Sequence, residues 1–222
     1  MKKIKNINNN SASAQSRKNL KDARFLEKRN QIKAAATDLM VELGYENMSL
    51  DAICERASCS KSAIYEHFGN KQGLLAALTE DVALELSQSL HAFYLQELSV
   101  EDTLLLYAEL ALTRILNDKH IAVVRATISS LPHDPGIGPT YYRVGARTAQ
   151  AALEQYFSAQ VIAGTLVLGD PQWAAHEFQG LLFWERLVAQ IVGAMQAPTE
   201  AEIKTHTRQV VDTFLRRYRV DA

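Results

Sequence analysis

Residues 49–71 have the sequence SLDAICERASCSKSAIYEHFGNK, and this stretch decides the fold of the N-terminal part of the chain. Ser49 and Ser60 each stand where a helix needs a side-chain cap. Ile53 and Ala57 then recur at i, i+4 spacing and form one apolar face. The pattern predicts two short helices joined by a tight turn, with a third helix directly afterwards. This arrangement is a helix-turn-helix, whose second helix fits the major groove of DNA.

The second of these helices has an apolar back and a small, polar, partly basic front. Ile64 and Phe68 form the back at i, i+4 spacing. We expect the front to meet base edges, with lysine favouring guanine and glutamate favouring cytosine. The residues placed there are Lys61, Ser62, Ala63 and Glu66. An ordinary helical hairpin within an all-α core is the alternative interpretation of the same pattern.

Residues 60–71 resemble the signature of TetR-type transcriptional regulators, in which the recognition helix ends in Tyr-x-x-Phe before a lysine that opens the next helix. The turn departs from that signature, because Ser58 stands where glycine is usual and Cys59 where a valine-like residue is usual. The resemblance implies phosphate contacts by Tyr65, His67 and Lys71, although His67 has a solvated surface histidine as its alternative. The full set of predicted DNA-binding residues is Ser49, Ser60, Lys61, Ser62, Ala63, Tyr65, Glu66, His67 and Lys71.

Charge is divided unequally along the 222 residues, although the formal net charge is only -1. Residues 1–75 hold 13 Lys and Arg against 8 Asp and Glu, whereas residues 76–222 hold 11 against 17. A basic end beside an acidic remainder is expected when only one end approaches phosphate. Residues 1–25 are basic and nearly free of apolar side chains, so we expect a disordered arm. That arm either contacts DNA or is an ordinary solvated tail.

Neither a secretory signal nor an uninterrupted span of about 18 apolar residues occurs in the sequence. We therefore expect a cytoplasmic protein without a membrane partner. Cys54 and Cys59 lie five residues apart, a spacing that fits no zinc site. We interpret them as buried thiols that fill small sites in the core, with a redox switch as the alternative.

The remaining sequence has helical periodicity throughout, which predicts an all-α fold of about nine helices. Helix 1 is expected at about residues 26–43 with Gly44 as its stop, and the helix that begins after Asn70 is expected to reach Tyr94. The later helices are predicted at about 101–117, 120–131, 140–163, 171–193 and 200–218, with a loop at 131–139. We predict three segments: a basic arm at 1–25, a three-helix DNA-binding domain at 26–72, and a larger helical ligand-binding and dimerisation domain at 73–222.

Residues 141–147, 164–171 and 174–182 are similar to the C-terminal domain of AefR-like regulators, a branch of the TetR group. The resemblance implies a homodimer held by the last two long helices of each chain and a ligand pocket among the middle helices. The apolar residues of those last helices favour the same interface. Its predicted members are Phe183, Leu187, Val188, Ile191, Val211, Phe214 and Leu215. Burial within a single chain is the alternative for these side chains.

The predicted ligand pocket combines apolar walls with a few hydroxyl and ring donors, as suits a small, largely apolar compound. Its candidate residues are Phe93, Tyr107, Thr113, Thr127, Tyr141, Tyr142, Phe157, Phe178 and Trp184. Each of these residue types is also common in an ordinary core.

Function follows from these patterns as an expectation. The chain is predicted to be a ligand-responsive transcriptional regulator, a repressor released from a palindromic operator by a small molecule. Its expected partners are operator DNA, the effector and a second copy of the chain, and we expect no cofactor. Catalytic motifs such as Gly-x-Ser-x-Gly, His-Glu-x-x-His and a phosphate-binding glycine-rich loop are absent from the sequence, which argues against an enzyme. The alternative is a helical small-molecule carrier or interaction protein that does not bind an operator.

Overall fold

The computed structural model describes the backbone of residues 2–220 and the side chains from Lys18 onward. The fold is all-α, as predicted. Within residues 2–220 the pairing of extended backbone is limited to an isolated antiparallel bridge between Leu166 and Arg219. This described part forms ten helices: α1 (Lys2–Asn47), α2 (Leu50–Arg56), α3 (Lys61–Phe68), α4 (Lys71–Leu95), α5 (Val100–Ile115), α6 (Asp118–Ser130), α7 (Ile137–Val144), α8 (Ala146–Ile162), α9 (Pro171–Ile191) and α10 (Glu200–Tyr218).

Helix α1 begins much earlier than the sequence predicts. The backbone is helical from Lys2, where we expect a disordered arm and a helix only from about residue 26. Once packed residues nucleate a helix, each further residue adds a hydrogen bond, and Lys, Arg, Gln and Ala are good helix formers. The predicted stop at Gly44 is a real break, because its φ of 75° and ψ of 164° are not helical.

The single helix predicted at about 140–163 is two helices in the structure. Gly145 separates α7 from α8 with φ −98° and ψ −94°, and α7 begins inside the predicted loop, at Ile137. A Cβ atom on Gly145 would lie 2.6 Å from Cγ2 of Thr79. The missing side chain therefore allows the α7–α8 joint to rest directly on α4.

The larger hydrophobic core joins α4, α5, α8, α9 and α10, and it is named the aromatic core for the rings that cluster among the last three helices. The rings of Phe157 and Phe214 stack with centroids 5.0 Å apart, and Phe178 meets Phe214 edge-on at 5.2 Å. All three side chains are essentially inaccessible to solvent. Burying each ring contributes about 2–3 kcal/mol to the free energy of folding.

The second core belongs to the helix-turn-helix but does not end there. It joins buried residues of α1, α2 and α3 to Leu74 and Leu75 of α4. Val123 and Ala126 of α6 complete the same cluster. Helix α4 continues into the aromatic core through Leu86. Helices α4 and α6 therefore pack simultaneously on the DNA-reading end and on the rest of the chain.

Candidate DNA-binding and ligand sites

Ser49 and Ser60 fix the starts of the two motif helices. The Ser49 hydroxyl accepts a hydrogen bond from the Ala52 N–H at 3.1 Å, and the Ser60 hydroxyl accepts one from the Ala63 N–H at 3.2 Å. Both caps satisfy amides that a helix N-terminus leaves unpaired. Capping is thus confirmed for both serines, while their contact with DNA stays a prediction.

The turn between α2 and α3 adopts the left-handed conformation at Ser58, whose φ is 46°. This is the position where the resembling family usually has glycine, which carries no Cβ penalty there. The Cys59 N–H donates to the Cys54 carbonyl at 3.0 Å and closes the turn. The Lys28 ammonium donates to the carbonyls of Ala57 (3.5 Å) and Ser58 (3.3 Å). A cation at this helix C-terminus also meets the negative end of its dipole.

The front of α3 is exposed as predicted, and Ile64 on its back is fully buried. Tyr65 has 52% of its surface exposed. The Lys61 ammonium forms an ion pair with Asp51 at 2.8 Å, and this hydrogen bond raises the pKa of Lys61. Exposed pairs of this kind contribute little to stability because solvent screens them, so breaking this one to reach DNA costs Lys61 little. The other exposed or half-buried members of the front are Ser62, Ala63 and Glu66.

The ring of His67 packs against α1, and its contact with phosphate stays a prediction. The ring lies against Phe25 of α1, with centroids 3.9 Å apart, and its Nδ1 is buried without a hydrogen-bond partner. Burial lowers the pKa of His67, and the positive charge of Arg29 acts in the same direction. The residue as a whole is half-buried. The local sequence does not show this packing, because Phe25 lies 42 residues away.

Lys71 holds the end of α1 to the start of α4. Its ammonium donates to the Tyr45 carbonyl at 2.6 Å and lies 3.9 Å from the centroid of the Tyr45 ring. Burial lowers the pKa of Lys71. The side chain is half-buried, and its contact with phosphate stays a prediction.

Two residues that the sequence analysis missed hold the recognition helix in place. The Arg29 guanidinium donates to the His67 carbonyl at 2.6 Å and lies 4.5 Å from the centroid of the Phe68 ring. It thereby caps the C-terminus of α3 from α1. A Cβ atom on Gly73 would lie 1.9 Å from the Phe68 carbonyl oxygen, so α3 and α4 meet at this angle only with glycine there. A glycine inside a helical pattern was the available signal.

Known families match both parts of the chain. Residues 32–78, which contain the motif, match the family described as bacterial regulatory proteins, tetR family. Residues 102–220, more than half of the chain, match the AefR-like transcriptional repressor C-terminal domain. The chain belongs to the TetR family of transcriptional regulators. Its family and fold are those of DNA-binding regulators and not of enzymes.

One relative and two solved structures illustrate the similarity. The transcriptional activator FasR from Mycolicibacterium smegmatis is 37% identical over 54 residues, which span a quarter of FasR and 24% of this chain. A TetR-family regulator from Mesorhizobium loti has a TM-score of 0.76 at 24% identity, over 89% of this chain and 99% of its own. The flavonoid-responsive regulator FrrA has a TM-score of 0.63 at 25% identity, over 88% and 99% of the two chains.

A cavity of about 160 Å³ lies between α4 and the helices that follow it in this TetR-family chain. Two of the predicted pocket residues, Tyr107 and Tyr141, are part of its wall. The complete lining is Thr79, Val82, Ala83, Leu86, Tyr107, Ile115, His120, Tyr141, Gly145, Ala146, Ala149, Gln179, Phe183 and Leu187. Helix α4, which begins at the recognition helix, supplies four of these side chains.

The other predicted pocket residues lie elsewhere. Phe157 and Phe178 fill the aromatic core, and buried Thr127 donates its hydroxyl to the Val123 carbonyl at 3.0 Å. Phe93 is half-buried and is not part of the wall. The exposed residues are Thr113, Tyr142 and Trp184. These predictions were wrong because apolar periodicity indicates burial but not whether a neighbour fills the adjacent space.

The polar groups of the cavity wall are neutral. Tyr107 is fully buried, and its hydroxyl lies beside Gln179 without making a hydrogen bond. The Tyr141 hydroxyl lies 3.4 Å from Nε2 of His120. Burial lowers the pKa of His120 to about 4 and raises the pKa of Tyr141 to about 12. At neutral pH both side chains are therefore uncharged.

The residues of the predicted dimer interface fall into three groups. Val211, Phe214 and Leu215 are buried in the core of their own chain, so their assignment to an interface was wrong. Phe183 and Leu187 face the cavity. Val188 stays exposed, Ile191 is half-exposed, and α9 also presents further exposed apolar side chains outside the predicted set. These are Leu181, Trp184 (74% exposed) and Val192 (70% exposed).

Cys54 and Cys59 are free thiols, each half-buried beside the helix-turn-helix core. Burial is the main cause that raises the pKa of Cys59. Both side chains pack against the core, but they are less buried than the sequence predicts. A thiol of raised pKa reacts slowly with oxidants at neutral pH. Among the described side chains no group of three or more His, Cys, Asp or Glu is arranged to hold a metal ion. The described helices also include none long and apolar enough to cross a membrane.

Proposed function

We propose that this chain is a homodimeric repressor that binds a palindromic operator through α3 and is released by a small, largely apolar effector in the α4–α9 cavity. The observation that carries the proposal is that α4 and α6 each line the cavity and also pack in the helix-turn-helix core. A change at the cavity wall therefore acts directly on the position of the recognition helix.

Along α4, the helix-turn-helix core and the cavity wall are one helical turn apart. Leu75 belongs to the helix-turn-helix core, and Thr79, four residues later, belongs to the cavity wall. The two are joined by a hydrogen bond from the Thr79 hydroxyl to the Leu75 carbonyl at 3.2 Å. An effector that favours a different position of this segment shifts the equilibrium away from the DNA-binding arrangement by its differential affinity.

Helix α6 provides a second path of similar length. His120 faces the cavity, and Val123, three residues later, packs in the helix-turn-helix core against α1. A displacement of α6 moves α1, which caps α3 through Arg29. Two helices thus transmit the state of the cavity to the same recognition helix.

A dimer is required by the geometry of a palindromic operator, whose half-sites lie roughly 34 Å apart. The exposed stripe on α9, formed by Leu181, Trp184, Val188 and Val192, supports that assembly. Contiguous exposed apolar surface of this kind marks an interaction site in a protein that folds around its own core.

We propose repression rather than activation because the similarity to a repressor domain covers more of the chain than the similarity to an activator. The C-terminal match to a repressor domain covers residues 102–220, whereas the similarity to FasR, an activator, covers 54 residues. A reporter gene placed behind the chain's own upstream DNA separates the two roles. Repression requires higher expression when the gene for this chain is deleted.

Operator binding is tested by fluorescence anisotropy with DNA from upstream of the chain's own gene at about 50 and 200 mM salt. We expect saturable binding that weakens at the higher salt. Tyr65→Ala weakens binding to all sequences, Glu66→Ala mainly relaxes sequence preference, and Tyr142→Ala serves as the control, an exposed tyrosine on α7. Absence of binding at low salt contradicts the proposal and favours the carrier alternative. Exchange of the Tyr65 and Glu66 phenotypes contradicts the assigned contacts.

A further inference from the structure

The size of the cavity limits its occupant to about one ring. Its volume is about 160 Å³, and a protein cavity of about 150 Å³ lined by apolar side chains accommodates benzene. A molecule of two or three fused rings requires the walls to move apart. The occupant that fits the observed space is therefore a single ring with a small substituent.

The wall selects against charge. It contains no Lys, Arg, Asp or Glu side chain, and most of its surface is apolar. Among the residues of the wall, His120 alone can carry a positive charge. Burial lowers the pKa of His120 to about 4, so the side chain is neutral at physiological pH. An anionic or cationic occupant would lose its hydration without gaining a counter-ion.

One donor in the wall has no partner. The Tyr107 side chain is fully buried, and its hydroxyl has no partner at hydrogen-bond distance and angle, although the Gln179 side chain lies close enough to act against the burial that raises the pKa of Tyr107. Buried polar groups are nearly always paired, and an unpaired one is a reason to look for a missing partner. An oxygen acceptor on the occupant satisfies this hydroxyl.

Aromatic side chains surround the same space. Tyr107, Tyr141 and Phe183 contribute rings to the wall, and aromatic rings pack favourably edge-to-face or offset against one another. Aliphatic residues of α4, such as Val82 and Leu86, complete the apolar surface.

We infer that the cavity takes an uncharged, single-ring aromatic compound whose oxygen accepts a hydrogen bond from the Tyr107 hydroxyl. The inference rests on the proposed function, because it assigns a chemical class to the occupant of the same cavity. An aryl ketone and an aryl ether are members of this class, whereas an aryl carboxylate is not.

Three probes of similar size test each part of the inference by isothermal titration calorimetry without DNA. Acetophenone carries a neutral acceptor, ethylbenzene lacks the acceptor, and benzoate carries a charge. We expect acetophenone to bind about ten-fold more tightly than ethylbenzene, and benzoate to bind at least about 100-fold more weakly than acetophenone. Benzoate binding equal to that of acetophenone overturns the inference.

Tyr107→Phe provides the decisive variant, because it removes only the unpaired hydroxyl and preserves the buried ring. The preference for acetophenone over ethylbenzene disappears in this variant if Tyr107 is the donor. Tyr156→Phe is the matched control: this tyrosine is buried in the aromatic core but is not part of the cavity wall, and the preference stays. A preference that survives Tyr107→Phe overturns the inference.

Release of DNA is measured separately, by adding acetophenone to the operator complex in the anisotropy assay. Binding that depends on Tyr107 but leaves the DNA complex intact supports the chemistry of the cavity and contradicts effector-driven release in the proposed function. The opposite outcome is that the chain binds the operator and is released by a different compound, while acetophenone does not bind. That outcome supports the proposed function and contradicts the inferred chemistry of the cavity.

Discussion

At the scale of single residues, Ser58 holds the turn of the helix-turn-helix in a conformation that is unfavourable for any residue with a Cβ atom. Its φ is 46°, and the left-handed region costs an L-residue about 1–2 kcal/mol. Ser58→Gly removes this strain but increases the entropy of the unfolded chain, so we expect a net gain of about 0.5–1 kcal/mol in the free energy of unfolding. Urea denaturation measures the change. Ser62→Gly, within α3, should lose a similar amount, and a change of the same sign in both variants contradicts the argument.

His120 makes stability depend on pH in a defined window. Its folded-state pKa of about 4 lies below the ordinary value of 6.5, because burial disfavours the cation. Below pH 6.5 the unfolded chain binds a proton that the folded chain refuses, so stability falls as the pH drops from 6.5 towards 4. The total loss is about 3 kcal/mol, since one pKa unit corresponds to about 1.4 kcal/mol.

The measurement for His120 is the free energy of unfolding between pH 4 and pH 7 in the native chain and in His120→Gln. The groups common to both proteins cancel in the difference. We expect the difference to change across this window and to be constant above pH 7. A parallel pair of curves contradicts the role of His120.

Residue roles were predictable where they depend on neighbours in sequence. Ser49 and Ser60 cap helices three residues away, and this short-range chemistry is visible in the sequence. The packing of His67 on Phe25 and the hydrogen bond of Lys71 to Tyr45 were not visible in the sequence, because Phe25 and Tyr45 come from α1 and meet them only after the chain folds.

At the scale of elements, the junction of α3 with α4 depends on Gly73. An added Cβ atom would lie 1.9 Å from the Phe68 carbonyl oxygen, a backbone atom that cannot move away cheaply. We expect Gly73→Ala to tilt α3 and reduce operator affinity at least ten-fold, with a lower melting temperature. Anisotropy titration and thermal denaturation measure these effects. Gly169→Ala is the control, because its Cβ meets open space. Unchanged affinity in Gly73→Ala contradicts the close approach.

The contact of the α7–α8 joint with α4 predicts a variant that imitates the effector-bound state. Gly145→Ala places a methyl group 2.6 Å from Cγ2 of Thr79, and it therefore pushes α4 where the cavity wall meets the helix-turn-helix core. We expect weaker operator binding without effector. Adding Thr79→Ser removes that methyl group but retains the hydroxyl, and it restores part of the affinity. The Tyr141 carbonyl, 3.0 Å from the same Cβ, limits the rescue.

A matched experiment separates this effect from simple unfolding. The anisotropy assay is run on Gly145→Ala, Thr79→Ser and the double variant, with circular dichroism to confirm their helix content. Equal affinities of Gly145→Ala and the native chain argue against transmission through α4. The absence of any rescue by Thr79→Ser argues that the Tyr141 contact dominates.

Helix ends were predictable to the extent that their signals are local. Asp170 and Pro171 begin α9, and a capping box formed by Thr199 and Glu202 begins α10. The break at Gly145 was not predictable, because helical periodicity continues on both sides and the reason for the break is the approach of Thr79 from another helix. The early start of α1 was missed since composition alone does not show that a packed helix extends into a polar segment.

At the scale of the whole molecule, an apolar stripe in the sequence does not indicate which chain covers it. The stripe of α10 at Val211, Phe214 and Leu215 suits an interface as well as a core, and the structure places it in the core. The apolar side chains of α9 include some that stay exposed, and Trp184 and Val188 are among them. The stripe of α10 belongs to the core because α8 and α9 pack against it, and the sequence does not show that packing.

The dimer is therefore expected to depend on α9 and not on α10. Trp184 is 74% exposed in the single chain, so Trp184→Glu removes little packing within it. The substitution places a charge in an apolar interface, where it is desolvated without a partner. We expect a folded monomer of about 24.7 kDa by light scattering, with unchanged helix content and strongly reduced operator affinity.

Two comparisons make the assignment to α9 specific. Tyr142→Glu changes another exposed aromatic residue, on α7, and should leave the dimer intact. Phe214→Ala, in the core, should lower the free energy of unfolding by about 3–5 kcal/mol in each chain. A dimeric Trp184→Glu, or a monomeric Tyr142→Glu, contradicts the α9 interface. Loss of operator affinity in the Trp184→Glu monomer then follows from geometry, because one recognition helix reaches only one half-site.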